Sequence, residues 1–145
     1  MYKSKPAFRI PIEEDVWDAI SYYCDRVGIN PEHWSEKSIS KVKYDEARNI
    51  TDVGSWGGGY TDSGWLLDVP KSEWSEELSS SYSRDFEHII EQYNKKEIRP
   101  AIVIDGYICD GRGRAMFLDA IGEKVPYIEV ELEPVKLSIA RPRWA

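Results

Sequence analysis

Residues 98–130 run IRPAIVIDGYICDGRGRAMFLDAIGEKVPYIEV, and no other part of the chain is as informative. Ala101-Ile102-Val103-Ile104 reads as a strand. Asp105-Gly106 follows it, the strongest hairpin signal in the sequence, because both residues of such a turn need positive φ. Tyr107-Ile108-Cys109 is then the returning strand. Asp110 has the chemistry of a helix N-cap, and the helix it opens runs to about Ile121, with Gly122 as the residue just past its end. Met116, Phe117, Ala120 and Ile121 supply the apolar face of that helix. Residues 126–132 alternate as a last strand, Tyr127, Glu129 and Glu131 against Ile128, Val130 and Leu132.

Upstream of this stretch the pattern is mostly helical. Phe8, Ile10 and Ile12 alternate as in a short lead-in strand. Residues 13–27 predict an amphipathic helix with Val16, Ile20, Tyr23, Cys24 and Val27 on one face. Its first turn is acidic, which the helix dipole favours, and Gly28 ends it. Asn30-Pro31 reads as a helix start and predicts a short helix to about Lys41. Ser55–Tyr60 is a glycine-rich loop, Trp65–Pro70 a strand closed by proline, and residues 71–80 a turn or short helix. A helix over 84–93 buries Phe86, Ile89, Ile90 and Tyr93. The expectation is an α+β fold in one domain. Residues 1–63 form a helical extension with a Gly-rich loop, 64–133 a core of small mixed sheet and packed helices, and 134–145 a tail.

The chain has 145 residues, enough to bury a core without staples. Its formal net charge is −7 and it has no Lys/Arg-rich run, which argues against nucleic acid as the main partner. An acidic balance is compatible with docking to a basic partner protein. The two cysteines, Cys24 and Cys109, have no metal spacing. The start has no apolar signal region and no apolar run reaches membrane-spanning length, so the cytoplasm is the expected compartment, with no membrane partner. Six Trp point to an aromatic-rich core or an aromatic-lined pocket.

The residues that carry chemistry are Asp110-Gly111-Arg112-Gly113-Arg114. A helix start leaves its first N–H groups unpaired and carries partial positive charge. Gly111 and Gly113 let a ligand approach the backbone, and Arg112 and Arg114 can grip phosphate through paired hydrogen bonds. Together these features predict a phosphate site at Gly111, Arg112, Gly113 and Arg114. Asp110 is a candidate base or metal ligand, set against its role as helix cap, and Asp68 is a second candidate carboxylate, set against a solvated strand end. The two histidines, His33 and His88, read as surface or packing residues.

Residues 98–130 resemble the core of the ParB/sulfiredoxin superfamily. Its members run as apolar strand, short turn, strand, a Gly-x-x-Arg box opening a helix, then Gly and a Val-Pro-Val-like strand. Here the elements are Ala101–Ile104, Asp105-Gly106, Tyr107–Cys109, Gly111–Arg114, Gly122 and Val125-Pro126-Tyr127, and the likeness extends upstream to about Trp65. The resemblance implies that the box binds nucleotide phosphates. Sulfiredoxin-like members carry a catalytic Cys directly after the first Gly; Arg112 stands there, which argues against sulfinic-acid reduction. Free-serine kinase members have Asp-Gly-His-His-Arg, of which Asp110, Gly111 and Arg114 match and both His are replaced. The chain ends soon after the last strand, which argues against the helix-turn-helix of the chromosome-partitioning members.

The expected function is therefore nucleotide or phosphate binding. NTP hydrolysis or phosphotransfer are the candidate reactions, with a nucleoside triphosphate as ligand and Mg2+ as candidate ion. The alternatives are a non-catalytic phage or mobile-element accessory protein that binds a host protein, and a ParB-like nuclease.

Overall fold

The computed structural model describes residues 14–51 and 62–135. The lead-in strand, the glycine-rich loop and all but the first two residues of the tail lie outside the described residues. The fold is α+β, with one small open mixed sheet of five strands among the described residues.

Helix α1 (Glu14–Val27) forms as predicted, burying Val16, Trp17, Ala19, Ile20 and Cys24, but Val27 at its last turn is exposed rather than on the buried face. The Asn30-Pro31 start is also real: Asn30 Oδ1 accepts the Glu32 N–H at 2.9 Å. The helix it opens stops after one 3-10 turn, Pro31–His33, and Trp34–Ile39 is strand β1 rather than helix. The reason lies 100 residues away. Strand β5 (Val125–Pro134) offers an antiparallel ladder that pairs Trp34 with Pro134 and Ile39 with Val130. That ladder satisfies the backbone of the segment as strand. Strand β2 (Lys43–Asp45) continues along the same side of β5, and the four-residue helix α2 (Ala47–Ile50) follows.

The predicted strand at 65–70 is also corrected. Trp65–Asp68 is a 3-10 turn. The Gly64 N–H donates to the Asp119 carbonyl at 2.8 Å, which pins this segment against the helix layer instead of the sheet. Leu66 is fully buried there, and local bonds from Leu67 and Val69 use up the backbone groups a ladder would need. Helix α3 (Trp74–Tyr82) and helix α4 (Glu87–Asn94) come next.

The hairpin of β3 (Ala101–Ile104) and β4 (Tyr107–Asp110) turns at Asp105 and Gly106, with φ of 47° and 86°, the two left-handed residues such a turn requires. Helix α5 (Arg112–Ala120) then crosses back, and β5 runs parallel to β3. The sheet order is β1-β5-β3-β4, with β2 beside β1 on β5.

Two cores lie on opposite faces of the sheet. Ala101, Val103, Ile108 and Val125 pack against α3, α4 and α5, with Phe86 and Phe117 fully buried. Ile102, Ile104, Val130 and Leu132 pack against α1. All four β3 side chains are buried, as a central strand covered on both faces demands. Among the described residues no helix is long and apolar enough to cross a membrane.

Candidate functional site

Between the C-terminal end of α1, the strand β4 and the turn into α5 lies a hollow of about 730 Å³. Gly111 and Arg112 form one wall, and Asp110 stands beside them. Arg26 enters from the last turn of α1, and Arg84 from the segment between α3 and α4. Three arginines from three separate parts of the chain thus line one cavity.

Each added arginine is held in place by its surroundings. Arg26 Nη1 donates to the Tyr22 hydroxyl at 2.9 Å, and its guanidinium carbon lies 5.6 Å from the centre of the Tyr22 ring. Ser83 takes a left-handed conformation at the end of α3 and turns the chain toward α5. The Arg84 guanidinium then lies 5.7 Å from the Phe86 ring centre and close against Gly113. A Cβ on Gly113 would stand 3.1 Å from the Arg84 Cζ. Such packing limits the rotamer freedom that a long side chain otherwise loses on binding.

The box itself is arranged differently from its expected form. Asp110 does not cap α5. It ends β4, paired with Ile102, and the cap position belongs to Gly111 at φ 93°, with no side-chain cap bond. The Asp110 carboxylate instead accepts from Arg114 Nη2 at 3.1 Å. Arg114 turns inward: its side chain is 10% exposed, Nη2 also donates to the Pro100 carbonyl at 3.2 Å, and it is not among the residues lining the hollow. Its buried Nε has no hydrogen-bond partner.

Gly111 has an internal reason to be glycine. A Cβ there would stand 2.7 Å from Arg114 Nη2 and 2.8 Å from the Ala101 Cα, so α5 can start this close to β3 only without one. Asp68 is exposed on its 3-10 turn and does not line the hollow. The structure therefore brings Asp110, Gly111 and Arg112 together at the cavity, sets Gly113 and Arg114 behind it, and leaves Asp68 apart. Arg26 and Arg84 were not legible in the sequence: they lie 86 and 28 residues before Arg112, and no local pattern marks either.

Cys109 also lines the hollow. Burial pushes its thiol up to about 11, against a smaller downward pull from backbone bonding and Arg26, and its Sγ contacts the Tyr107 carbonyl oxygen at 3.4 Å. At neutral pH it is a thiol, not a nucleophilic thiolate. Among the described residues no group of three or more His, Cys, Asp and Glu side chains is placed to hold a metal ion.

Comparison with protein-family models, with curated proteins and with solved structures returns no match at the level that would support a relationship. The chain is an α+β protein with an arginine-lined hollow at a strand–turn–helix junction.

Proposed function

We propose that this hollow binds the phosphates of a small ligand, a nucleotide in the first instance, as the ParB/sulfiredoxin-like pattern of residues 98–130 suggests. One observation carries the reading: Arg26, Arg84 and Arg112 converge on a single cavity in a chain of net charge −7. Positive charge gathered at one cavity from distant positions favours an anionic ligand there. The start of α5, without a side-chain cap, adds backbone donors and the positive end of the helix dipole. The cavity lies within the size range of small-ligand sites, roughly 300–1,000 Å³.

In this reading Arg112, Arg26 and Arg84 contact the phosphates, and Arg114 positions the turn. Among the described residues Asp110 is the one carboxylate lining the hollow, and Arg114 already engages one of its oxygens. That donor set does not make a resident cation site. Mg2+ would arrive on the nucleotide's own phosphates. For hydrolysis or phosphotransfer, Asp110 is the lining group, among the described residues, suited to orient an acceptor or water.

Calorimetric titration with tripolyphosphate and with nucleoside triphosphates at low ionic strength tests this. Binding that weakens about ten-fold in Arg112→Ala, and similarly in Arg84→Ala, is the expected result. A wild-type chain that binds none of these anions removes the reading.

A second reading, an accessory protein that docks on a host protein, is favoured by a shallow groove elsewhere. Val42, Tyr44, Tyr93, Ile98 and Pro100 line it, and Tyr44 is 66% exposed. Loss of a co-purifying host protein on Tyr44→Glu, with anion binding unchanged, is the result that reading requires.

A further inference from the structure

We infer that the ligand of the arginine-lined hollow carries a flat aromatic base as well as phosphate, and that Tyr107 is the platform on which the base stacks. This deepens the phosphate reading and rests on it.

The arginines make only part of the wall. Tyr22, Val27 and Tyr107 line the same hollow and are 47%, 45% and 64% exposed. They are three of the seven large hydrophobic residues exposed among the described residues. Apolar surface gathered at one cavity mouth is a free-energy cost that a ligand with an apolar face offsets. Inorganic phosphate or a sugar phosphate has no such face.

Tyr107 is also held in position despite its exposure. It is the first residue after the tight turn and pairs with Ile104. Its ring centre lies 6.0 Å from that of Tyr23, tilted by 41°. Tyr23 is in turn hydrogen-bonded to the Asp105 carboxylate, and burial, together with the negative charge of Asp105, raises its pKa. A ring so buttressed loses little freedom when a base settles on it. In the lining of the same hollow, the Tyr22 ring and the Arg26 guanidinium over it form a second surface, of the kind on which bases also stack. The chain order Tyr107-Ile108-Cys109-Asp110-Gly111-Arg112 then runs from a base platform to a phosphate grip along one strand and turn.

The test compares tripolyphosphate with the four ribonucleoside triphosphates on the full chain by calorimetry. At least one nucleotide should bind about ten-fold more tightly than tripolyphosphate. Tyr107→Ala should remove that advantage and leave tripolyphosphate affinity unchanged, while Tyr107→Phe should retain it. Thermal melting of each variant checks that the fold is intact. If tripolyphosphate binds as tightly as every nucleotide, or if Tyr107→Ala weakens both kinds of ligand alike, the base platform is overturned while the phosphate site stands. If neither tripolyphosphate nor any nucleotide binds, the phosphate site itself falls.

Discussion

Asp110 and Arg114 are joined beneath the turn into α5, Nη2 to Oδ2 at 3.1 Å, with the same nitrogen also reaching the Pro100 carbonyl. The pair ties the end of β4, the start of β3 and the first turn of α5 to one guanidinium. Arg114→Ala should therefore act on stability first, by about 2–3 kcal/mol in urea denaturation, since it leaves a part-buried carbonyl unpaired and a cavity behind. Arg114→Lys should recover only part of this, because one ammonium cannot reproduce the planar fork. A variant lacking Arg114 that melts like wild type yet loses all anion binding would place Arg114 in the hollow after all.

Gly111 and Gly113 should respond oppositely to alanine. At Gly111 the φ of 93° and the Ala101 backbone 2.8 Å from a new Cβ leave no room to yield. Gly111→Ala should cost about 3 kcal/mol or more. At Gly113 the obstacles are the Ile89 Cδ1 at 3.0 Å and the Arg84 guanidinium, both ends of flexible side chains. The helix gains roughly 1 kcal/mol in propensity from alanine there. Gly113→Ala should melt within a few degrees of wild type and yet bind phosphate more weakly, because Arg84 is pushed from its seat.

Removing the Tyr22 hydroxyl separates orientation from charge. Tyr22→Phe keeps the ring under the Arg26 guanidinium but loses the 2.9 Å hydrogen bond. Tripolyphosphate affinity should fall about two- to five-fold, against about ten-fold for Arg26→Ala. Both losses should shrink as salt is raised from 0.05 to 0.5 M, given roughly as the range over which exposed charges become screened. Calorimetry at the two salt levels distinguishes a charge effect from a packing effect.

Alkaline pH should destabilise the fold within a defined window. Burial pushes the Cys24 and Cys109 thiols up to about 11 from an ordinary 9.0, and the Glu123 hydrogen bond with burial pushes Tyr93 up to about 12 from 10.0. In the unfolded chain these groups lose their protons earlier. Their contribution is therefore complete below about pH 9 and is lost as pH rises toward 11 and 12. The denaturation midpoint should hold steady to about pH 9 and then fall, and Cys24→Ala with Cys109→Ala should flatten the first part of that fall. A midpoint that rises between pH 9 and 11 would contradict the buried setting of both thiols.

Where structure follows from neighbours in the chain, the sequence alone determined it. The tight turn at Asp105-Gly106 needs two left-handed residues and has them; α1 and α4 follow their apolar periodicity; α5 ends at Gly122 as expected. Only the tertiary structure decided the segments whose backbone partners are remote. Residues 34–39 became strand because β5 offered a ladder, and residues 65–68 became a 3-10 turn because Asp119 held Gly64 against the helices. The site divides in the same way. Arg112 beside Gly111 was readable from the chain, but the direction of Arg114 depended on the Pro100 carbonyl, and the arrival of Arg26 and Arg84 depended on how three elements pack. Local hydrogen bonding and periodicity are written in adjacent residues. The aim of a side chain is set by what stands across from it, and that is known only once the chain has folded.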